Sequence, residues 1–319
     1  MKSWSVVTGY FDLTQMPDAS PSIRARPAGH YLENARATMN LDQNLIVFCE
    51  PNVLDSLKAL RPSHLLLKTE FITLSFDEFE MTKYRSKILE NRTKNPDPDD
   101  RNTASYYLLC MARYAMLKIA MEKNPFKSTH FAWLNLCIQR MGPKNVEELP
   151  RVFAGFRDKF STCYIDYIPQ DQLLNALRTG RCGMCSGFFT GRADYMKRFC
   201  DEIEAKFLHY LTLGYGHADE QLFSAVYFDN RDLFEVYYGD YTEMVTNYNW
   251  IQSRPSEPLR LLIRGSFAAG DYITCLPACL KLWMSFKKGC AELQEWEVLH
   301  LISFYRGCLR KLGQPEELA

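Results

Sequence analysis

Ser5-Val-Val-Thr-Gly-Tyr10 and Leu45-Ile-Val-Phe-Cys49 are short, almost wholly apolar runs, and the chain that follows each of them turns helical in pattern. Neither run alternates polar with apolar residues, as a half-exposed strand would. Continuous β-branched runs of this length suit strands covered on both faces. Residues 64–67 read as a weaker third strand, and residues 129–134 and 162–167 as two more. Helical stretches lie between them at residues 30–40 and 52–60, with a strong one at 103–123. This alternation predicts an α/β fold, a mostly parallel sheet with helices on both faces. Ligands of such sheets sit beyond the carboxyl ends of the strands. The segments that matter most are therefore 8–12, 135–137, 166–167 and the glycine-rich Ser186-Gly-Phe-Phe-Thr-Gly191.

A Pro/Asp-rich loop occupies residues 95–101, and Ser253-Arg-Pro-Ser-Glu-Pro258 interrupts the pattern again. The reading is a nucleotide-binding domain over 1–252 and a C-terminal helical extension over 253–319. Residues 259–265, 272–286 and 291–312 are the extension's helices, the last with an apolar face of Leu299, Ile302, Tyr305 or Arg306, and Leu309. A packed tail is the plain reading of these helices; a homodimer surface is the other.

The 319 residues carry 38 Lys+Arg against 38 Asp+Glu, so the chain lacks the broad basic footprint of a nucleic-acid binder. No apolar run reaches the length of a transmembrane helix, and the N-terminal stretch shows no signal-peptide pattern, so a cytoplasmic protein is expected. Eleven cysteines, several of them inside apolar runs, suit free buried thiols in a reducing compartment. Cys182-Gly-Met-Cys185 has zinc-knuckle spacing, but no second pair follows at a suitable distance.

Four places could carry chemistry. On the helix at 103–123, Tyr107, Met111, Tyr114, Lys118 and Met121 share one face, so Lys118 sits in an apolar stripe. It either snorkels or meets an anion, such as a pyrophosphate. Arg113 lies on another face and reads as a solvated charge. The second place is Phe131-Ala-Trp-Leu-Asn-Leu-Cys137, where Asn135 follows the strand. A divalent cation prefers charged oxygen ligands, and an amide brings none, so metal binding is expected to be weakened or absent. Asp97-Pro-Asp99 has no strand before it and reads as a solvated turn. The third is Ser186–Gly191, whose glycines let backbone amides approach a sugar or phosphate, although glycine-rich strands also occur without a ligand. The fourth is Tyr215-Gly-His-Ala-Asp-Glu-Gln-Leu222. Asp219 and Glu220 there either cap a helix or act on an acceptor hydroxyl, with His217 nearby as a weak metal-ligand candidate.

These segments occur in a recognisable order: Val6-Val-Thr-Gly-Tyr-Phe-Asp12, Lys118-Ile-Ala-Met-Glu-Lys-Asn-Pro-Phe126, Phe131-Ala-Trp-Leu-Asn-Leu136, Ser186–Gly191, Asp219-Glu-Gln221 and Tyr238-Gly-Asp-Tyr241. Over roughly residues 5–250 the sequence resembles the HtrL/YibB family, which belongs with the GT-A nucleotide-sugar transferases. The resemblance implies a GT-A Rossmann-like fold and a UDP- or GDP-sugar donor. It also implies a glycan, glycoprotein or other hydroxyl acceptor, and often Mn or Mg. By position it implies that Thr8, Gly9 and Tyr10 line the nucleotide pocket and that Lys118 faces the phosphates. Gly187 and Phe188 would contact the donor sugar. Asp219 and Gln221, with Glu220 between them, would face the transferred sugar and acceptor. Asn135, like His217 a candidate metal contact, stands where relatives usually carry an Asp. That departure leaves open a degenerate binding or scaffolding protein as the alternative to an active glycosyltransferase.

Overall fold

A computed structural model of the chain describes residues 2–97, 99–216, 219–249 and 256–316. The boundary expected between 252 and 253 lies outside the described residues, as does His217. One seven-stranded sheet runs through the molecule. Its strands are β1 (Trp4–Tyr10), β2 (Asn44–Cys49), β3 (Thr69–Thr73), β4 (His130–Leu134), β5 (Ser161–Tyr164), β6 (Met184–Arg192) and β7 (Tyr237–Tyr238), in the order β3-β2-β1-β4-β6-β5-β7. β1 pairs in parallel with both β2 and β4, and β2 with β3. β6 is antiparallel to β4 and to β5, while β5 and β7 are parallel. Only β6 therefore runs against the rest, and the expected mostly parallel α/β sheet is what the chain forms.

The central position of β1 explains its composition. Val7 belongs to the core on one face, packed with Met111, Tyr114 and Leu117 of the helix Ala104–Lys123. Val6 and Tyr10 belong to the core on the other face, with Ala35, Met39 and Leu57 from the helices Ala28–Met39 and Leu54–Leu60. Both faces are covered, so no position on the strand favours a polar residue. Each fully buried Val, Leu or Phe contributes about 1.5–3 kcal/mol. The long helix begins at Thr103, whose hydroxyl accepts the Tyr106 amide at 3.2 Å. It ends at Asn124 in the left-handed region, φ 34°.

Two expectations are corrected. Residues 64–67 lie in a 3-10 helix, Ser63–Lys68, and the third strand starts only at Thr69. Of the three leucines there Leu65 is buried but Leu67 is 95% exposed, so the apolar run has no second face to bury. Thr69-Glu-Phe-Ile-Thr73 supplies the β-branched and aromatic residues that the edge position accepts. Ser186–Gly191 does not follow a strand; it is the body of β6, hydrogen-bonded on both sides.

The C-terminal helices are Ser256–Ala268, Tyr272–Lys287 and Glu295–Lys311. Leu259, Ile263, Cys275, Leu282, Tyr305 and Cys308 join the same buried cluster as the sheet's long-helix face. Asp271 holds this junction. Its Oδ1 lies 2.6 Å from Arg231 Nη1, its Oδ2 accepts Tyr167 Oη at 3.2 Å, and it caps the second helix through Thr274. Asp271→Ala removes a cap and strands a partly buried guanidinium. It is expected to lower unfolding free energy by about 2–4 kcal/mol, read as a drop in the urea midpoint; an unchanged midpoint would show that the junction carries no stability.

Candidate functional site

The strand order reverses beside β1: the chain moves outward through β2 and β3, then returns to place β4 on the other side. Loops leaving β1 and β4 diverge at such a point and open a crevice. A cavity of about 440 Å³ lies there, lined by Gly9–Thr14 beyond β1 and by Trp133 and Asn135–Cys137 at the end of β4. One face of the helix Ala104–Lys123 closes it with Tyr106, Leu109, Cys110, Arg113 and Met116. Arg26, Tyr31, Arg101, Arg140 and Tyr241 complete the wall.

Arg113 corrects the expectation of a solvated charge. Its Nη1 donates to the Ser186 carbonyl at 2.8 Å and lies 3.0 Å from Asp219 Oδ2, with both side chains largely buried. The guanidinium lies over the Trp133 ring, 5.5 Å from its centroid. Tyr114 Oη donates to the same Asp219 oxygen. Burial works against the charged form of Arg113, and the Asp219 carboxylate, joined by Cys110, Tyr114 and Tyr106, outweighs it, leaving its pKa above the ordinary value. Burial pushes the Asp219 carboxyl up, opposed by Arg113. The neighbouring Glu220 is pushed up by burial and then by the Asp219 charge. Glu220 accepts from the Ser186 amide at 3.2 Å and the Ser186 hydroxyl at 3.1 Å. These two carboxylates stand behind the wall rather than in it, because Arg113, Tyr106 and Tyr241 come between.

Of the other candidates, Gly9, Tyr10 and Asn135 line the cavity. Thr8 is fully buried in β1. Lys118 does not reach the cavity: it pairs with Asp201 at 3.2 Å and with Glu204, both on the helix Ala193–Thr212. The anions that Lys118 meets are the protein's own. Gly187 serves packing, since a Cβ there would sit 2.6 Å from Met244 Sδ and its carbonyl accepts the Asn135 amide at 2.8 Å. Phe188 is wholly buried against Phe153 and Tyr248. Gln221 turns away, donating to the Gly180 carbonyl and Cys182 Sγ, both at 3.1 Å. Arg113 was legible only from a different helical stripe, the one that Tyr106, Leu109, Cys110 and Met116 also occupy.

The wall does not fit a divalent cation. Asn135 Oδ1 already accepts the Cys137 amide at 3.0 Å, and Cys137 Sγ donates to the Tyr31 carbonyl at 3.4 Å. Burial pushes the Cys137 thiol up to about 11, so it stays neutral at physiological pH. Asp12, the one acidic side chain on the wall among the described residues, is held by the Thr14 amide at 2.9 Å and hydroxyl at 2.7 Å. No group of three His, Cys, Asp or Glu among the described residues is arranged to hold a metal. Three wall residues instead keep a buried polar atom without a hydrogen-bond partner among the described residues: Tyr10 Oη, Arg113 Nε and Trp133 Nε1. Buried polar atoms left unpaired cost about 1–3 kcal/mol each, and all three can donate.

Since the Asp219 pKa is raised above the unfolded value of about 3.9, the fold favours its neutral form. Stability linked to this carboxyl is complete below that value and is lost as pH rises through the folded pKa. Arg113→Met takes away the partner that limits this loss. The expected cost at pH 8 is about 3–5 kcal/mol, shrinking as the pH falls toward 5, measured by urea denaturation at each pH. A cost that stays constant with pH would mean that Asp219 does not depend on Arg113 for its charge.

No curated protein matches the chain. Among solved structures, mouse xyloside xylosyltransferase 1 in its apo form is 14% identical, with a TM-score of 0.41 over 78% of this chain and 87% of that one. The galactosyltransferase LgtC in complex with donor and acceptor sugar analogs is 8% identical, with a TM-score of 0.41 over 79% and 77%. The family described as "Bacterial protein of unknown function (HtrL_YibB)" matches residues 2–249, which takes in the whole sheet and every residue of the cavity wall. The chain belongs to the HtrL/YibB family.

Proposed function

We propose that this protein is a glycosyltransferase that moves a sugar from a nucleoside-diphosphate donor to a hydroxyl on a glycan or other acceptor. The observation that carries this reading is the cavity at the carboxyl ends of β1 and β4, whose wall combines arginines, aromatic side chains and unpaired donors. A donor of this class needs those features together. Its diphosphate is anionic, its base offers a flat face to rings such as Tyr10, Tyr31 and Tyr106, and its sugar is rich in acceptors. Its order of motifs also resembles that of GT-A nucleotide-sugar transferases.

In this reading the chain's own residues act mainly by positioning and by electrostatics. Negative charge builds on the diphosphate as the glycosidic bond breaks, and guanidinium groups fixed beforehand stabilise it. Asp219 is a positioning residue: it compensates the Arg113 charge and fixes that side chain in the wall. Glu220 fixes Ser186, whose carbonyl is the second anchor of Arg113. Gly9, whose missing Cβ makes room for Met116, and Asn135 border the same space.

A second reading, a protein that binds such a ligand without turning it over, is favoured by one fact. Asp12 is the one acidic side chain of the wall among the described residues, and its Oδ1 is already engaged by the Thr14 amide and hydroxyl, which leaves no second carboxylate to share the chemistry.

Calorimetric titration with UDP-glucose, UDP-galactose, UDP-N-acetylglucosamine, GDP-mannose and dTDP-glucose is expected to give at least one Kd between about 1 μM and 1 mM, the usual range for enzyme substrates. If none of them binds, the proposal fails. Slow hydrolysis of the bound donor without acceptor separates transfer from mere binding, because the second reading requires none.

A further inference from the structure

Among the arginines of the cavity wall, charge is distributed unevenly. Arg113 is paired with Asp219, and Arg101 with Asp99 through contacts of 2.9 and 3.1 Å. Arg26, which also feels the Asp99 charge, makes no ion pair among the described residues, and neither does Arg140. These two come from different parts of the chain. Arg26 follows the short helix Pro21–Arg24 after β1, and Arg140 lies in the 3-10 turn Ile138–Met141 after β4. They line one cavity because both follow strands that flank the point where the strand order reverses. An uncompensated guanidinium is a rigid fork of donors matched to phosphate oxygens, and two on the wall of one cavity make a receptor for a multiply charged anion.

The same wall repels a divalent cation. Its neutral donors Asn135 and Cys137 are already bonded, and Asp12, whose Oδ1 is held by Thr14, is a single carboxylate with no second or third acidic, His or Cys ligand grouped beside it among the described residues. We infer that the donor's diphosphate is held by guanidinium groups of this chain, Arg26 and Arg140 foremost, and that its binding needs no divalent cation. The inference rests on the nucleotide-sugar reading above. It adds that charge neutralisation, which in other transferases comes from a metal ion, comes here from side chains.

The test uses the full chain and UDP, GDP, ADP and dTDP, titrated calorimetrically in EDTA and again in manganese chloride. The nucleotide that binds is expected to bind in EDTA within about twofold of its affinity in manganese. Arg26→Gln and Arg140→Gln are each expected to weaken it about tenfold, the loss of one charge-assisted hydrogen bond. Because neither side chain is in an ion pair among the described residues, the melting temperatures of both variants should match the parent. That agreement separates lost binding from lost folding. Binding that appears only with manganese, or affinity that both variants leave unchanged, overturns the inference and leaves the nucleotide-sugar reading standing. No binding by any of the four in either buffer overturns that reading itself.

Discussion

A guanidinium can be buried between a helix and a sheet only if something compensates its charge. In this protein that is Asp219, 3.0 Å from Arg113 and itself 1% exposed. Neither residue is tolerable there alone, because an isolated buried ion costs several kcal/mol. Together they tie three separate elements to one spot: the long helix through Arg113 and Tyr114, β6 through the Ser186 carbonyl, and the helix Glu220–Asp229 through Asp219 at its start. The position of the cavity floor follows from that tie.

The sequence made the parallel half of the sheet legible because β1, β2 and β4 are covered on both faces, and that condition writes itself as uninterrupted apolar runs. β3 was displaced because three consecutive leucines look like a strand whether or not a partner covers them; Leu67, left in solvent, is the sign that none does. The direction of β6 had no local signature at all. Its glycines were legible as close-approach positions, but the approaching atoms are Met244 Sδ and neighbouring backbone, which lie far away in the chain.

The site was legible in part for the same reason. Gly9 and Tyr10 end β1 and Asn135 follows β4; the rule that ligands gather at strand ends pointed to them, and all three line the cavity. Lys118 and Arg113 were told apart by their helical faces, and the faces were assigned the wrong way round. The stripe holding Tyr107, Met111, Tyr114 and Lys118 looked like the functional one because it contained a lone charge among apolar residues. That charge is satisfied by Asp201 and Glu204 on a helix which only the fold brings near. Periodicity tells which residues share a face; it does not tell what the face meets.

The two kinds of arginine on the wall do different work. Arg113 is neutralised, buried and held by three partners, so its contribution to a bound anion is mainly that of a fixed dipole with a spare donor at Nε. Arg26 and Arg140 bring net charge and can adjust their reach, since Arg140 is exposed and neither is in an ion pair among the described residues. A floor that is rigid and nearly neutral sets where a ligand sits; paired charges there would gain little from an additional anion. On the nucleotide-sugar reading, unpaired charges nearer the solvent would draw the anion in and follow it as a leaving group acquires charge. Precision and attraction are thus assigned to different residues, because a single guanidinium cannot be both fully compensated by a carboxylate and available to a phosphate.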